Sequence, residues 1–229
     1  MNPEAKVPAI HEVATVPKVG TVPEVAPVPG VGTYPQAAAV AESGPAHSVD
    51  RILAVAYELF SRRGVRDVGV NELIERSGVA KATFYRHFPS KDSLVFAFLE
   101  QRDKQWTMDG ILSEARRRGS TPREQLLAIF DVFGDWFRRE DFEACSFVRV
   151  MLEMGPAHPL GQASIDYLAK IRGHVQAVAE EAGLVRPEEF ARSLLILMKG
   201  SVIQAVEGDM LAAERARQMA VWLIGHHSG

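Results

Sequence analysis

The chain has 229 residues, of which 47% are apolar and 24% are charged, a balance typical of a globular protein with one or two domains. Its single cysteine, Cys145, excludes an intrachain disulfide, and no run of about 18 apolar residues predicts a membrane span. The N-terminus lacks the continuous apolar stretch of a secretory signal. We therefore expect a cytoplasmic protein.

Residues 1–47 differ in composition from the rest of the sequence. They contain most of its prolines, with regular six-residue spacing from Pro17 to Pro35, and they contain no Phe, Trp or Leu. Each proline fixes its own φ and favours an extended conformation in the residue before it. We predict a disordered arm with polyproline-II character. A segment that docks a partner is the alternative interpretation.

From Ser48 onward, apolar residues recur with the spacing of a helix. The first helix is predicted over about 49–63, with Ser48 as its N-cap. Gly64 is placed to end it, because glycine readily adopts the left-handed conformation that closes many helices.

Two short helical segments, 70–77 and 80–88, come next. Gly78 lies between them, and its freedom to adopt a positive φ suits a tight turn between helices. A longer helix over about 91–108 follows, with Ser90 as its cap. Two short helices with a glycine turn, braced by longer helices, are typical of a helix-turn-helix.

After residue 105 the apolar spacing remains helical, and the last two segments are predicted over 187–206 and about 210–225. Pro187 is expected at the first helical position, where its missing N–H costs nothing. No stretch has the sustained alternation of a strand. The predicted fold is all-α with about nine helices.

The region around the second short helix is basic although the chain carries a net charge of −3. From residue 76 to residue 91 there is no acidic residue and there are four basic ones, Arg76, Lys81, Arg86 and Lys91. Such groups supply most phosphate contacts to DNA, and the first residues of a recognition helix reach base edges. A solvated charged face is the alternative.

The stretch Ile52 to Glu100 resembles the DNA-binding domain of the TetR family of bacterial transcriptional regulators, most closely in ELIERSGVAKATFYRHFPSKDSL. The resemblance implies a homodimer whose two recognition helices bind a palindromic operator in double-stranded DNA. Together with the basic pattern, which contributes Arg86, it implies the following DNA-contacting residues: Asn71, Ala80, Lys81, Ala82, Thr83, Tyr85, Arg86, His87 and Lys91. Gly69 stands where the family commonly has a Thr or Ser, and Asn71 is the expected replacement for that contact.

The resemblance divides the chain into the arm, a helix-turn-helix domain over 48–95 and a helical effector-binding and dimerisation domain over 96–229. Its last helices, about 187–225, are implied to pack against the partner subunit. Large apolar side chains suit a pocket for a small apolar or amphipathic effector, with an ordinary core as the alternative. The candidate pocket residues are Trp106, Phe130, Phe133, Phe137, Phe147, Met151, Met154 and Tyr167.

Acidic residues in the C-terminal half allow a cationic ligand, although surface roles are the simpler expectation. We expect Glu153 to pair with Arg149, four residues earlier on a helix. Asp131 and Asp135 are the other two candidates.

No catalytic motif, phosphate loop or metal-ligand spacing occurs, so we expect neither an enzyme nor a cofactor or metal. The sequence favours a repressor that an effector releases from DNA by tilting the helix over about 91–108. An activator of the same fold, a ligand-binding protein that no longer binds DNA, and a helical enzyme remain the alternatives.

Overall fold

The computed structural model describes residues 45–229, without the side chains of Pro45, Ala46 and Trp106. The predicted arm over 1–47 lies almost entirely outside these residues. Within them, nine helices account for the regular structure and no β-sheet forms. The all-α prediction is confirmed. No helix in this part of the chain combines the length and apolar character required to cross a membrane.

The first three helices are α1 (Pro45–Arg63), α2 (Val70–Ser77) and α3 (Lys81–His87). Helix α1 begins a few residues earlier than predicted. Gly64 follows it with φ 88° and Gly78 follows α2 with φ 62°, so both glycines adopt the left-handed conformation expected of them. The turn at Gly78 sets α3 across α2 as the second helix of a helix-turn-helix.

Helix α4 is longer than predicted. It consists of three consecutive segments, Lys91–Arg102, Asp103–Leu112 and Ser113–Arg118, and the middle one is π-helical. The predicted end near residue 108 is wrong because a π-helix has i→i+5 hydrogen bonds and more residues per turn. The apolar residues therefore lose their α-helical spacing at a point where the backbone continues as a helix.

Five further helices complete the chain, and α5, α7 and α8 begin with a proline at the first turn, as expected for Pro187. Their bounds are α5 Pro122–Phe137, α6 Ser146–Met154, α7 Pro159–Glu181, α8 Pro187–Val206 and α9 Ala212–His226.

The buried apolar residues form two clusters. The N-terminal core joins α1–α4 and also includes Phe147 and Val150 of α6 and Leu160 and Leu168 of α7. The C-terminal core is built from the end of α4 together with α5, α7, α8 and α9. Helices α6 and α7 therefore tie the helix-turn-helix region to the rest of the molecule.

Candidate nucleic-acid interface and cavity

Helix α3 is held by two aromatic side chains on one face. Phe84 is fully buried and Phe88 nearly so, and their rings contact each other in a tilted arrangement. Tyr85 packs edge-on against Phe84 and is 41% exposed. Because one face of this seven-residue helix is fixed in the core, its opposite face is presented to solvent in a defined orientation.

The predicted DNA-contacting residues lie together around α3 and its flanks. Six of them are exposed: Asn71, Ala80, Lys81, Ala82, Tyr85 and Arg86. The other three, Thr83, His87 and Lys91, are partly exposed. The His87 Nε2 atom is buried and has no hydrogen-bond partner among the described residues. Their roles in binding DNA remain predictions.

Three cations of this surface are available to an external anion. Lys81, Arg86 and Lys91 form no salt bridge with any residue in the described part of the chain, whereas Arg76 pairs with Glu58 of α1 at 2.9 Å. Of the four basic residues in the sequence pattern, Arg76 therefore supports the packing of α2 on α1. The remaining three form a positive surface.

The N-terminus of α4 adds a second anion-binding feature to this surface. Ser90 and Ser93 form a reciprocal cap, in which each side-chain oxygen accepts the other residue's backbone N–H at 3.1 Å. Lys91 is the first residue of the helix. A helix N-terminus carries partial positive charge, so Lys91 and the helix dipole favour a phosphate at the same place.

Helix α2 starts without a side-chain cap, because Gly69 occupies the N-cap position. Asn71 is in the first turn and exposed, and it does not cap the helix. Its side chain is therefore left for other contacts, including the phosphate contact expected of it.

A cavity of about 660 Å³ lies where the two cores meet. It is lined by α4–α8 and by the loop from Arg63 to Asp67 that joins α1 to α2. This volume is within the range of pockets that bind drug-sized molecules. The helix-turn-helix region thus forms part of the cavity wall.

Two of the eight predicted pocket residues, Phe133 and Phe147, line this cavity. Five others do not line it: Phe130, Phe137, Met151, Met154 and Tyr167. The side chain of Trp106 is outside the described set.

The five residues that miss the cavity pack elsewhere for identifiable reasons. Phe130 and Phe137 are buried in the C-terminal core, while Met151, Met154 and Tyr167 pack against the N-terminal core. The prediction selected these residues because they are large and apolar. Which side of a helix faces a cavity, however, depends on how the neighbouring helices pack, and residue type does not show this. Sequence reasoning missed several wall residues: Arg102, Thr107, Cys145, Ser146, Leu195, Met198 and Val202.

Helix α6 is bound to the end of α1 by two charged side chains, which we call the α1–α6 clamp. The Arg149 guanidinium donates to the carbonyl oxygens of Phe60, at 3.5 Å, and Ser61. The Glu153 carboxylate accepts the backbone N–H of Val65, at 2.9 Å, and that of Arg66.

The expected Arg149–Glu153 pair therefore does not form. The last carbonyls of a helix carry partial negative charge, and the N–H groups just beyond it lack helical partners. The two charged residues satisfy these backbone groups instead of each other. Both also line the cavity, so the clamp lies between the cavity and the helix-turn-helix region.

Asp131 and Asp135, the other candidates for a cationic ligand, have protein partners. Asp131 pairs with Arg217 at 3.0 Å and Asp135 with Arg118 at 2.7 Å. Neither lines the cavity. Their surface roles agree with the simpler expectation. No group of three or more His, Cys, Asp or Glu within residues 45–229 is arranged to hold a metal ion.

Buried Glu114, near the end of α4, pairs with two arginines of the same helix. Hydrogen bonds from Arg117, opposed by desolvation, and further bonds from Arg118 lower the pKa of Glu114 from 4.5 to about 2. Arg118 also donates to Asp135 on α5. This network fixes the far end of α4.

Helices α8 and α9 share an exposed apolar face. Ile196 is 71% exposed and Trp222 is 76% exposed, and further apolar side chains project beside them. The other members of the face are Ile203, Val206 and Met219. Exposed apolar side chains on two helices that pack together are typical of a protein interface.

Both the sequence and the fold of this chain are similar to those of known proteins. The profile described as "Bacterial regulatory proteins, tetR family" matches residues 52–98, which span α1–α3 and the start of α4. The structure of SCO4454, a TetR-family regulator from Streptomyces coelicolor, superimposes with a TM-score of 0.73 at 25% identity, covering 80% of this chain and 96% of the other. Residues 52–98 therefore match the DNA-binding region of the TetR family, and the described chain has the fold of TetR-family regulators.

Two further similar proteins are also transcriptional regulators. A TetR-type regulator from Streptomyces avermitilis superimposes with a TM-score of 0.65 at 27% identity, covering 78% of this chain and 98% of the other. The transcriptional activator FasR of Mycolicibacterium smegmatis is 31% identical over 93 residues, which are 39% of this chain and 40% of FasR. The alignment thus covers less than half the length of this curated relative. The relatives are regulators, in agreement with the expectation that the chain is not an enzyme.

Proposed function

We propose that the chain is a DNA-binding transcriptional repressor that acts as a homodimer and leaves a palindromic operator when a small apolar or amphipathic effector enters its cavity. One observation carries the proposal. Lys81, Arg86 and Lys91 have no acidic partner among the described residues, and they surround a recognition helix whose opposite face is anchored in the core. Cations arranged in this way suit the phosphates on both sides of a major groove.

The exposed face of α8 and α9 supports the homodimer. Pairing this face with its symmetry mate would bury Ile196 and Trp222 in a two-fold interface of four helices. Two recognition helices would then be held at a fixed separation. Operators of dimeric helix-turn-helix proteins have half-sites about one DNA turn, ~34 Å, or a multiple apart.

The location of the cavity supports control by an effector. Its wall includes both the clamp residues and the loop after α1, so an occupant contacts the parts that orient the DNA-binding region. A ligand that prefers a different α1–α6 arrangement shifts the dimer toward that arrangement. Because half-site spacing is fixed, a changed separation of the recognition helices weakens binding to the operator.

The first test is selection of bound fragments from sheared genomic DNA by the full chain. Enrichment of a short inverted repeat supports a dimeric DNA-binding regulator. Weak, salt-sensitive binding without any enriched sequence contradicts it and favours a ligand-binding protein that has lost DNA binding.

The phosphate contact of Lys91 is tested on the selected operator. Each neutralised phosphate contributes about −0.9 to the slope of log affinity against log salt. Lys91→Ala should therefore make the slope shallower by about 0.9 per subunit, for specific and non-specific DNA alike. Lys104→Ala, an exposed lysine farther along the same helix, is the control and should leave the slope unchanged. An unaltered slope for Lys91→Ala contradicts the phosphate role.

The direction of regulation has its own test, since the relative FasR is named an activator. A reporter gene is placed behind the selected operator. Lower transcription in the presence of the chain supports a repressor, and higher transcription identifies an activator of the same fold.

A further inference from the structure

The cavity wall changes character from one side to the other. On the side of the helix-turn-helix region, charged residues of the α1–α2 loop and of the clamp form the wall together with Val148 and Leu152 of α6. On the side of the C-terminal core, the wall has one charged member, Lys199 of α8, and is otherwise mainly apolar. Its apolar members include Phe133, Trp136, Leu195, Met198 and Val202. A molecule that fills this space must be apolar over one part and polar over the other.

The cavity-lining residues of α4 also change from charged to apolar along the helix axis. Arg102, Thr107 and Ile111 all line the cavity, and the π-helical spacing brings them to the same face on successive turns. Arg102 is nearest the DNA-binding region and only 2% exposed, and it donates a hydrogen bond to the Tyr57 hydroxyl at 2.8 Å. Thr107 is also buried, and Ile111 belongs to the C-terminal core.

Ser146 adds an unsatisfied polar group to the wall. It is the first residue of α6 and 4% exposed, and its hydroxyl oxygen has no hydrogen-bond partner among the described residues. Buried hydroxyl groups are nearly always paired in folded proteins. A ligand atom that bonds this hydroxyl therefore supplies an interaction that the protein itself does not make.

The charge of the wall favours an anion. Five basic residues line the cavity, and they are Arg63, Arg66, Arg102, Arg149 and Lys199. Only two acidic residues, Asp67 and Glu153, do so, and Glu153 already accepts two backbone N–H groups. Two of the basic residues also have protein partners, since Arg63 pairs with Glu72 at 2.6 Å and Arg149 donates to carbonyls of α1. Arg102 lies near Asp141, whose pKa is lowered mainly by Arg139 and in smaller part by Arg102. The chain as a whole carries a net charge of −3, so this local excess of positive charge is opposite to the overall balance.

We propose that the cavity binds an amphipathic anion, whose acidic head group contacts Arg102 and Ser146 and whose apolar body extends into the C-terminal core. The inference rests on the proposed effector site and specifies its ligand class. Charge-assisted hydrogen bonds to a guanidinium are stronger than neutral ones, particularly where water is excluded. The head group would lie on the same side as the α1–α6 clamp.

The test compares three probes with identical alkyl chains, decanoate, decanol and decyltrimethylammonium, on the full-length protein. Cys145 is the only cysteine in the sequence and lines the cavity, so its rate of alkylation by iodoacetamide reports occupancy. At pH about 7.5 the carboxylate is ionised. We expect decanoate to protect Cys145 at about tenfold lower concentration than decanol, and the cation to protect it least.

Ser146→Ala removes only the hydroxyl oxygen and should reduce the preference for decanoate over decanol about threefold. Arg123→Gln changes the charge at an exposed position on α5 outside the cavity and should leave the preference unchanged. The comparison of probes on the unmodified protein does not depend on the folding of either variant.

The possible failures are distinguishable. Equal or better protection by decanol or by the cation overturns the anionic head group and leaves a ligand cavity in place. If none of the three probes slows alkylation or raises the melting temperature, both the amphipathic ligand and the proposed effector site are contradicted.

Discussion

The α1–α6 clamp allows a quantitative prediction for Glu153. Its carboxylate accepts two backbone N–H groups just beyond α1, from Val65 and Arg66. Hydrogen bonds to charged groups contribute about 1.5–3 kcal/mol each. Glu153→Gln removes the charge and leaves one carbonyl acceptor for two donors. We therefore expect the free energy of unfolding to fall by about 2 kcal/mol.

Differential scanning calorimetry measures this loss. For a chain of this size, 1 kcal/mol corresponds to about 2–4 °C, so the melting temperature should fall by about 4–8 °C. Glu140→Gln makes the same chemical change at an exposed loop position and is the matched control. A melting temperature for Glu153→Gln within about 1 °C of the control would refute the proposed strength of the clamp.

A second substitution, Gly64→Ala, tests the contact between Glu153 and the end of α1. Gly64 has φ 88°, and a Cβ at this position would lie 3.0 Å from the nearer Glu153 oxygen. Gly64→Ala combines a left-handed backbone with this close contact, so it should destabilise the protein by about 1–3 kcal/mol. Combined with Glu153→Gln, its effect should be less than additive, because the glutamine side chain loses one of the two hydrogen bonds that hold it and can move away from the added methyl group more easily.

Three further predictions concern other parts of the molecule. Trp222→Glu places a charge in the exposed face of α8 and α9, and sedimentation should detect monomers at concentrations at which the unmodified chain is dimeric. Because the pKa of Glu114 is lowered from 4.5 to about 2, its ionised form contributes about 3 kcal/mol of stability above pH 4.5, and this contribution is lost as the pH falls toward 2. Glu114→Gln should make the free energy of unfolding, measured by urea titration, less dependent on pH in this range. If the variant loses stability below pH 4.5 as steeply as the unmodified chain, the assignment is contradicted. Thr83→Ala should reduce discrimination at one operator base pair by about 1–3 kcal/mol without changing the salt slope, as measured by anisotropy with single-base operator variants.

The helix-turn-helix was predictable from the sequence because its determinants are local. Gly64 and Gly78 adopt positive φ for reasons that belong to glycine itself. Phe84 and Phe88, four residues apart, define the buried face of α3, and the basic residues around them then have to point outward. Periodicity, helix caps and the family resemblance all depended on short-range patterns, and they identified this region together.

The position and lining of the cavity could not be predicted from local sequence patterns, because they depend on contacts between residues far apart in the chain. Large apolar residues such as Phe130 and Met151 fit a pocket by type, yet they pack into the two cores, whereas Arg102 and Ser146 line the space between them. Likewise, four-residue spacing predicted that Arg149 would pair with Glu153. The end of α1 lies against α6 and supplies backbone partners that compete with that pair.

Most helix positions and the basic surface around α3 could be predicted from the sequence, because helix formation, capping and the glycine turn depend on residues close together in the chain. The position of the cavity, the side chains that line it and the junction of α6 with α1 could not be predicted in this way. These features arise where helices distant in sequence meet, and the direction of a side chain there is set by the packing of its neighbours.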